Sequence, residues 1–470
     1  MSVRAFRKKF IGDRAFYAMV LGIVVPMIIQ NAITNFVSLL DNIMVGQIGT
    51  EQMSGVAIAN QLMFVYNLCI FGGHGGAGIF TAQFHGKNDS DGIRYTMRFK
   101  MILSIVLTTG AILLFTFFDA PLIGLFLHDG SATGNLELTL FSGQEYLKIM
   151  LIGLIPFSIS QVYTSTLREV GETKVPMVAG IIAVFVNLIL NWVLIYGKLG
   201  LPAMGVVGAA IATVTSRIVE CAIVVVWLHR HSHLFPFAKK VWRSLGLPAY
   251  LVGDIVRKGM PLLINEALWS FSMTAINQCY STRGLAVVAA MNISSTIANL
   301  FNVIYMSLGN AVGIIVGRQL GQGRTRDAVD TDNKLIAFGI ALSMLIGGTL
   351  AITSGLFPSL YNTTGEVREL AAYFICVAGL LMPMHSFLHC AYFTLRCGGR
   401  TLIVFMFDCM FICLVNLPIA YVLAHFTNLE IHYMYLICQL VDLIKCVIGF
   451  VLLKKKIWVN NIVGGVMNEE

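Results

Sequence analysis

Charge is scarce in this sequence. Only 12% of its 470 residues are Asp, Glu, Lys or Arg, 57% are hydrophobic, and mean hydropathy is +0.78. A water-soluble domain carries about twice that charged fraction, so a soluble enzyme or binding module is excluded. The chain has ten cysteines, scattered mostly through apolar stretches, and no CxxC spacing, which leaves them as small core residues. It has no paired aspartate-rich motif, no His/Asp-rich box and no Ser or Cys nucleophile constellation, so an integral membrane enzyme is disfavoured. It has no pore-loop signature, which disfavours a channel. The basic residues Arg4, Arg7, Lys8 and Lys9 lack a following cleavage signature and read as a tail, not a signal peptide.

Long apolar runs are abundant. Segments such as Met101–Phe118 carry no charge and approach the roughly 20 residues that cross a hydrocarbon core. Twelve spans are expected, near 15–46, 53–80, 96–119, 140–164, 175–197, 204–229, 253–280, 285–316, 333–357, 369–395, 401–424 and 433–454. The remainder is short loops, with no room for a catalytic domain. Numbered from an inside N-terminus, the inner connections collect the basic residues, among them Lys87, Arg94, Arg98, Lys100, Arg168, Lys239, Arg243, Arg318, Arg324, Arg396 and Lys454. The outer ones hold little beyond Lys198, Arg283 and Arg368. That bias is the positive-inside rule. It implies a multi-pass protein of the cytoplasmic (inner) membrane with both termini in the cytoplasm. The net charge of +8 then reflects topology, and no nucleic-acid partner is implied.

The chain repeats itself. Shifted by 235 residues, Pro26 meets Pro261, Asn42 meets Asn277, Asn67 meets Asn302 and Gly86 meets Gly321. Further on, an offset of 228 aligns Thr166–Thr173 with Thr394–Thr401, the seven lost residues fitting the longer third loop around "HDGSATGNLE". Six spans per repeat give both repeats the same orientation, related by an axis along the membrane normal. The expected fold is therefore an all-α membrane bundle of two six-helix lobes, 1–229 and 253–470, joined by a cytoplasmic loop at 230–252. Parallel bundles of this kind suit alternating access.

Few acids enter the spans, and each is a functional candidate because a buried carboxylate is costly. In the first span Asn31, Thr34, Asn35, Ser38, Asp41 and Asn42 share one helical face. Asp41 thus ends a polar stripe that lines a cavity or a neighbouring helix. The seventh span offers Glu266 with Trp269, Ser270, Met273 and Asn277 on its face. The repeat sets Glu266 opposite Asn31, ten residues or about 15 Å along the axis from the level of Asp41. The eighth span adds Asn292, Ser295, Thr296, Asn299 and Asn302, and the fifth adds Asn187 and Asn191. A single buried Asn is ordinarily helix–helix glue; several stripes on both repeats favour a lined cavity.

Other signals read structurally. His385 and His389, one turn apart, line or support a cavity more readily than they bind metal. Arg217–Glu220 and Asp442–Lys445 are expected as i, i+3 neutralising pairs. The run "GGHGGAG" (72–78) lacks the strand of a phosphate loop, so close helix packing is expected.

"LDNIMVGQIGT" (40–50), "TLREVGETKVPM" (166–177), "VGRQLGQGR" (316–324) and "NLILNWVLIYGKLGLPAMGVVGAAIAT" (187–213) resemble the MATE family, the multidrug and toxic compound extrusion transporters. The likeness is to its DinF/NorM-like members, within the multidrug/oligosaccharidyl-lipid/polysaccharide exporter superfamily, and covers nearly the whole chain. The resemblance implies a secondary active antiporter that exports organic, mostly cationic and amphipathic drugs or toxic metabolites in exchange for H+ or Na+, embedded as a monomer in the lipid bilayer, with no enzymatic activity and no cofactor beyond its coupling ion. It makes Asp41 the coupling carboxylate, Pro26 the bend of the first helix, and Asn187 a pocket residue. Many relatives carry an aspartate where this chain has Asn191. The lone Asp41, among Leu39, Leu40 and Ile43, suits a proton; Na+ held by Asp41 and Asn187 stays open as the alternative. A flippase exporting a lipid-linked metabolite is the alternative activity; it would favour extra spans and a cationic cavity.

Overall fold

The computed structural model describes residues 9–124, 136–361 and 363–464, apart from the side chains of Ser38, Leu39, Asn42, Ile43 and Thr50. Residues 125–135 of the third loop of the first repeat, and the basic residues before Lys9, lie outside the described residues. The elements are helices: α1 (Arg14–Gly46), α2 (Thr50–Lys87), α3 (Ser90–Phe117), α4 (Leu136–Glu169), α5 (Lys174–Tyr196), α6 (Gly205–Arg230), α7 (Ala249–Ser281), α8 (Leu285–Gly321), α9 (Thr325–Ile352), α10 (Gly365–Cys397), α11 (Thr401–Phe426) and α12 (Ile431–Lys454). Eleven are long and apolar enough to cross a membrane. The twelfth, α7, has 33 residues but carries Asp254, Arg257, Lys258 and Glu266. The protein is an all-helical, multi-pass membrane protein.

Several helices outrun the apolar stretches that mark them. α2 continues to Lys87, and α3 begins at Ser90, so the basic residues there are helical extensions, not loop. Lys100, expected in a cytoplasmic connection, is 0% exposed inside the third helix. It is ion-paired with Glu169 of α4 and lies 3.2 Å from Ser165 Oγ and 3.3 Å from Thr166 Oγ1. Gly78, last of the "GGHGGAG" run, provides the room: a Cβ there would overlap Glu169 Oε1. The glycine-rich run is indeed packed helix.

The chain divides into two units. One comprises Ile29–Thr81 and Ser90–Gly253, the other Met1–Ile28, Ala82–Asp89 and Asp254–Glu470. The first has a core of Val45, Ala59, Met63, Tyr66, Tyr146, Met150, Leu154 and Ala210, contributed by α1, α2, α4 and α6. Its linker after α6 is stapled to α3: Arg98 Nε donates to the Val241 carbonyl at 2.7 Å and Arg94 Nε to Phe237 at 3.3 Å. Trp242 Nε1 donates to Tyr163 Oη at 2.7 Å.

In the second unit α10 packs against α8, α9 and α12, and the core gathers Ile276, Tyr280, Ala290, Phe374, Ala420 and Met434. The end of α2 joins this unit through a contact that obeys the repeat. A Cβ on Gly86 would overlap the Arg318 carbonyl, and one on Gly321 would overlap the Gln83 carbonyl. Gly86 and Gln83 are the repeat equivalents of Gly321 and Arg318 at the 235 offset. Equivalent backbones therefore touch at equivalent glycines. Gln83 secures the join, donating to the carbonyls of Cys397 at 2.9 Å and Asn460 at 3.2 Å.

α11 is irregular. Met406–Met410 and Ile412–Asn416 are wound as π-helix, a form concentrated at functional positions. The wider turn shifts which side chains share a face. It also changes the repeat offset by one residue, so that Asn416 stands at 229 from Asn187.

Candidate functional site

Asp41 comes from the C-terminal third of α1 and is half-buried. Two asparagines of α5, one turn apart, face it; Asn187 is 5% exposed and Asn191 1%. Asn191 Nδ2 donates to Asp41 Oδ1 at 2.7 Å and also lies 3.2 Å from Asn187 Oδ1. Asn187 can be placed in two ways. In one, its Nδ2 donates to Thr213 Oγ1 of α6 at 3.3 Å and its carbonyl oxygen faces the carboxyl. With the amide turned over, its Nδ2 donates to both Asp41 oxygens, at 2.9 and 3.1 Å, and its oxygen takes the Thr213 contact. The two placements match the two protonation states. A carboxylate accepts only, so it wants N–H groups; a carboxylic acid has one proton to give, and a carbonyl to receive it.

The donor set also bears on a metal ion. Na+ would collect oxygens from Asp41, Asn187, Thr213 and Asn191. Here Asn191 presents nitrogen to Asp41, and its own Oδ1 is buried without a hydrogen-bond partner. In the first Asn187 placement its oxygen faces those of Asp41, as a shared cation or proton requires; with the amide turned, the arrangement is that of a hydrogen-bonded carboxylate. Turning the Asn191 amide would be needed before it could share a cation with Asp41.

The rest of the α1 stripe is not drawn into this cluster. Asn31 is half-buried, and Thr34 and Asn35 are exposed; Thr34 Oγ1 donates to its own helix at Gln30, 2.9 Å away. The side chains of Ser38 and Asn42 lie outside the described residues. Gln30, which the stripe reading passed over, is 8% exposed and accepts from Arg168 Nη2 at 2.6 Å. An amide one residue before a recognised polar stripe was its only sequence signal.

Glu266 of α7 is half-buried and accepts from Tyr392 Oη of α10 at 3.3 Å. Trp269 and Met273 are exposed at 36% and 37%, and Ser270 is half-buried. Asn292 and Asn299 of α8 are exposed. This face of α7 and α8 is open, but no hydrogen bonds join these residues to one another among the described residues.

The second unit holds a further charged cluster that the sequence reading missed. Asp408, in the first π-helical stretch, accepts from Lys445 Nζ of α12 at 2.5 Å and from Asn265 Nδ2 of α7 at 3.1 Å. This corrects the expected Asp442–Lys445 pair. Asp442 instead accepts from Asn416 Nδ2 at 2.9 Å. Lys445 turns to Asp408 across the α11–α12 contact, where the two side chains are 7% and 17% exposed, and not to the i−3 neighbour at the helix break near Val441. Arg217 and Glu220 make no direct ion-pair contact among the described residues, but their charges act on each other, with Arg168 also acting on Glu220; the Arg217 guanidinium lies 4.9 Å over the Phe157 ring. His385 and His389 pack on Tyr305, at centroid distances of 6.4 and 4.8 Å. Among the described residues no cluster of three His, Cys, Asp or Glu could hold a metal. Asp408 was detectable by the rule that singled out Asp41, an acid within an apolar span.

The MatE family model matches residues 26–193 and again 261–422. The chain belongs to the MatE family. The two matches begin 235 residues apart and end 229 apart, reproducing the internal repeat and its one-residue change at α11. MatE proteins are transporters, not enzymes. Among relatives, a probable multidrug resistance protein YoeA of Bacillus subtilis is 27% identical over 417 residues, covering 87% of each chain. A probable multidrug resistance protein NorM of Thermotoga maritima is 26% identical over 413 residues, covering 86% of this chain and 85% of its own. The fold matches an outward-facing multidrug resistance MATE transporter of the MOP superfamily with a TM-score of 0.82 at 18% identity, over 97% of this chain and 98% of the other.

Proposed function

We propose that this MatE transporter exports small organic cations, drugs or toxic metabolites among them, in exchange for protons. The repeats 1–229 and 253–470 act as two lobes with both termini in the cytoplasm, and Asp41 is the coupling group. The relatives named as multidrug resistance proteins support drugs as substrates; the preference for cations rests on the carboxyl groups of Asp41 and Glu266. The observation that carries the coupling is the Asp41–Asn187–Asn191 cluster: one carboxyl group, two amides, and an Asn187 side chain that fits either protonation state.

The sequence of events follows from that geometry. Facing outside, Asp41 takes a proton and becomes a donor. Asn187 then offers its carbonyl, α1 and α5 are no longer held by a charge, and the cation leaves. Facing inside, the proton is lost. Asn187 turns its N–H groups to the carboxylate, and the negative charge attracts the next organic cation, with Glu266 a second attractor in the other repeat. Exposed Trp269 and Met273 suit varied apolar cations through stacking and adaptable packing. Exchange requires each ligand to bind one state better than the other; equal affinities would move nothing.

Inside-out vesicles with an acid lumen test this. Adding an organic cation outside should discharge the pH gradient as substrate enters and protons leave. A gradient that stays unchanged on addition of every transported cation would refute proton exchange.

A further inference from the structure

Three basic side chains from distant parts of the chain line one open cavity of about 500 Å³: Lys9 before α1, Arg326 in the first turn of α9, and Lys456 just past α12. All three belong to the same unit. None forms an ion pair among the described residues, and Lys9 Nζ instead sits 5.3 Å over the Phe10 ring. The one carboxylate in the wall, Asp330, is already held by Lys334 Nζ at 2.5 Å. Thr325 and Asn333 add neutral donors to the wall. Lys456 has φ +55°, in the left-handed region that glycine usually occupies after a helix.

Three cations gathered around one space repel each other until an anion enters. The fitting anion is set by the donors: a guanidinium that pairs two oxygens at once, two ammonium point charges, a hydroxyl and an amide. That is a phosphate receptor. The amides at the start of α9 favour the same charge. The location selects the source of the phosphate. The apolar stretch of α9, with mean hydropathy 2.3, begins only after the polar run Thr325–Lys334, and Asn333 lies eight residues from the helix start, about 12 Å along the axis. The cavity therefore lies where a membrane helix leaves the hydrocarbon, at the level of lipid headgroups.

We propose that this cavity binds the phosphate of an anionic phospholipid headgroup. The proposal rests on the membrane nature of the chain and is independent of the transported substrate and coupling ion. Anionic lipids collect at basic surfaces of this kind. What distinguishes a site from a general attraction is that Lys9, Arg326 and Lys456 act together on one phosphate.

Native mass spectrometry of the full chain, titrated with phosphatidylglycerol and with phosphatidylcholine, tests it. The double variant Arg326→Gln/Lys456→Gln should lose about thirtyfold in phosphatidylglycerol affinity and leave phosphatidylcholine binding unchanged. The control Lys239→Gln/Arg243→Gln removes two charges from the linker after α6 and should change neither. The charge-keeping pair Arg326→Lys/Lys456→Arg should retain most of the preference, which separates charge from folding. Inorganic phosphate in excess is the last arm. Inorganic phosphate that binds the wild-type protein more weakly than phosphatidylglycerol supports the lipid as source; inorganic phosphate that binds as tightly, and loses affinity equally in Arg326→Gln/Lys456→Gln, overturns the lipid assignment in favour of a soluble phosphate. Equal losses in the site and control variants, or equal affinity for the two lipids in the wild type, overturn the site itself.

Discussion

Asp41→Asn separates coupling from folding because the structure already supplies partners for the new amide. Its oxygen can keep the 2.7 Å bond from Asn191 Nδ2, and its nitrogen can meet the Asn187 carbonyl. The bond from Asn191 weakens on losing its ionic partner, by about 1 kcal/mol. The desolvation cost of a half-buried charge disappears with it. The two effects oppose, so stability should stay within about 1 kcal/mol and the melting temperature within about 2 °C. Coupling has no such compensation. One proton exchanged for one substrate lets each pH unit sustain a substrate gradient of about tenfold, since it supplies about 1.4 kcal/mol. With no titratable group at this position that factor should fall to one. Proteoliposomes carrying wild-type or variant protein under an imposed gradient measure it, with a melting curve as control. A well-folded Asp41→Asn protein that still concentrates substrate at the wild-type rate would refute the argument.

Asn191→Leu strips Asp41 of its donor and should cost about 1–3 kcal/mol in stability, together with slowed efflux, read by melting and vesicle assays. Glu266→Gln should weaken cationic substrates by about tenfold or more while sparing neutral ones; equal losses in direct binding would point to a fold defect. Lys445→Met leaves the largely shielded Asp408 carboxylate without its cation, with Asn265 its remaining hydrogen-bond donor, and should destabilise by about 3 kcal/mol. Adding Asp408→Leu should recover most of it, and a denaturation series that shows no recovery would rule out the pair as the cause. Gly86→Val drives side-chain atoms into the Arg318 carbonyl and should cost about 1–3 kcal/mol, with Gly321→Val behaving alike if the repeat contact is symmetric.

The fold was legible because a membrane leaves so few options. Apolar runs set the helices, and the shared positions of Pro26 with Pro261 and of Gly86 with Gly321 exposed the duplication. Helix ends were less legible. Hydropathy marks the part in hydrocarbon, while α2, α4 and α8 run on to Lys87, Glu169 and Gly321. Lys100 looked like loop for the same reason; only the three-dimensional partner Glu169 shows why a lysine can be buried there. The Asp41 cluster was legible in part. Spacing placed Asn187 and Asn191 on one face, but nothing in sequence says that Asn191 turns its nitrogen, not its oxygen, to the acid. Asp408 itself was visible as an acid inside the eleventh span; its partners were not, because a helical wheel assumes 3.6 residues per turn. In the π-helical stretches Met406–Met410 and Ile412–Asn416 that assumption fails, and Asp408 and Asn416 fall out of register with a regular stripe. Charge pairs were misassigned by the same local reasoning. An i, i+3 neighbour is visible in sequence, whereas the α11–α12 contact that captures Lys445 is not.

The central claim is that Asp41 exchanges protons for substrate, and one measurement addresses it most directly: efflux in sodium-free vesicles under an imposed pH gradient, acid on the outer face, for wild type and Asp41→Asn side by side. The account predicts efflux from the wild type that scales with the gradient and none above protein-free vesicles from the variant. Wild-type vesicles that stay silent until sodium is added at constant pH would contradict proton coupling.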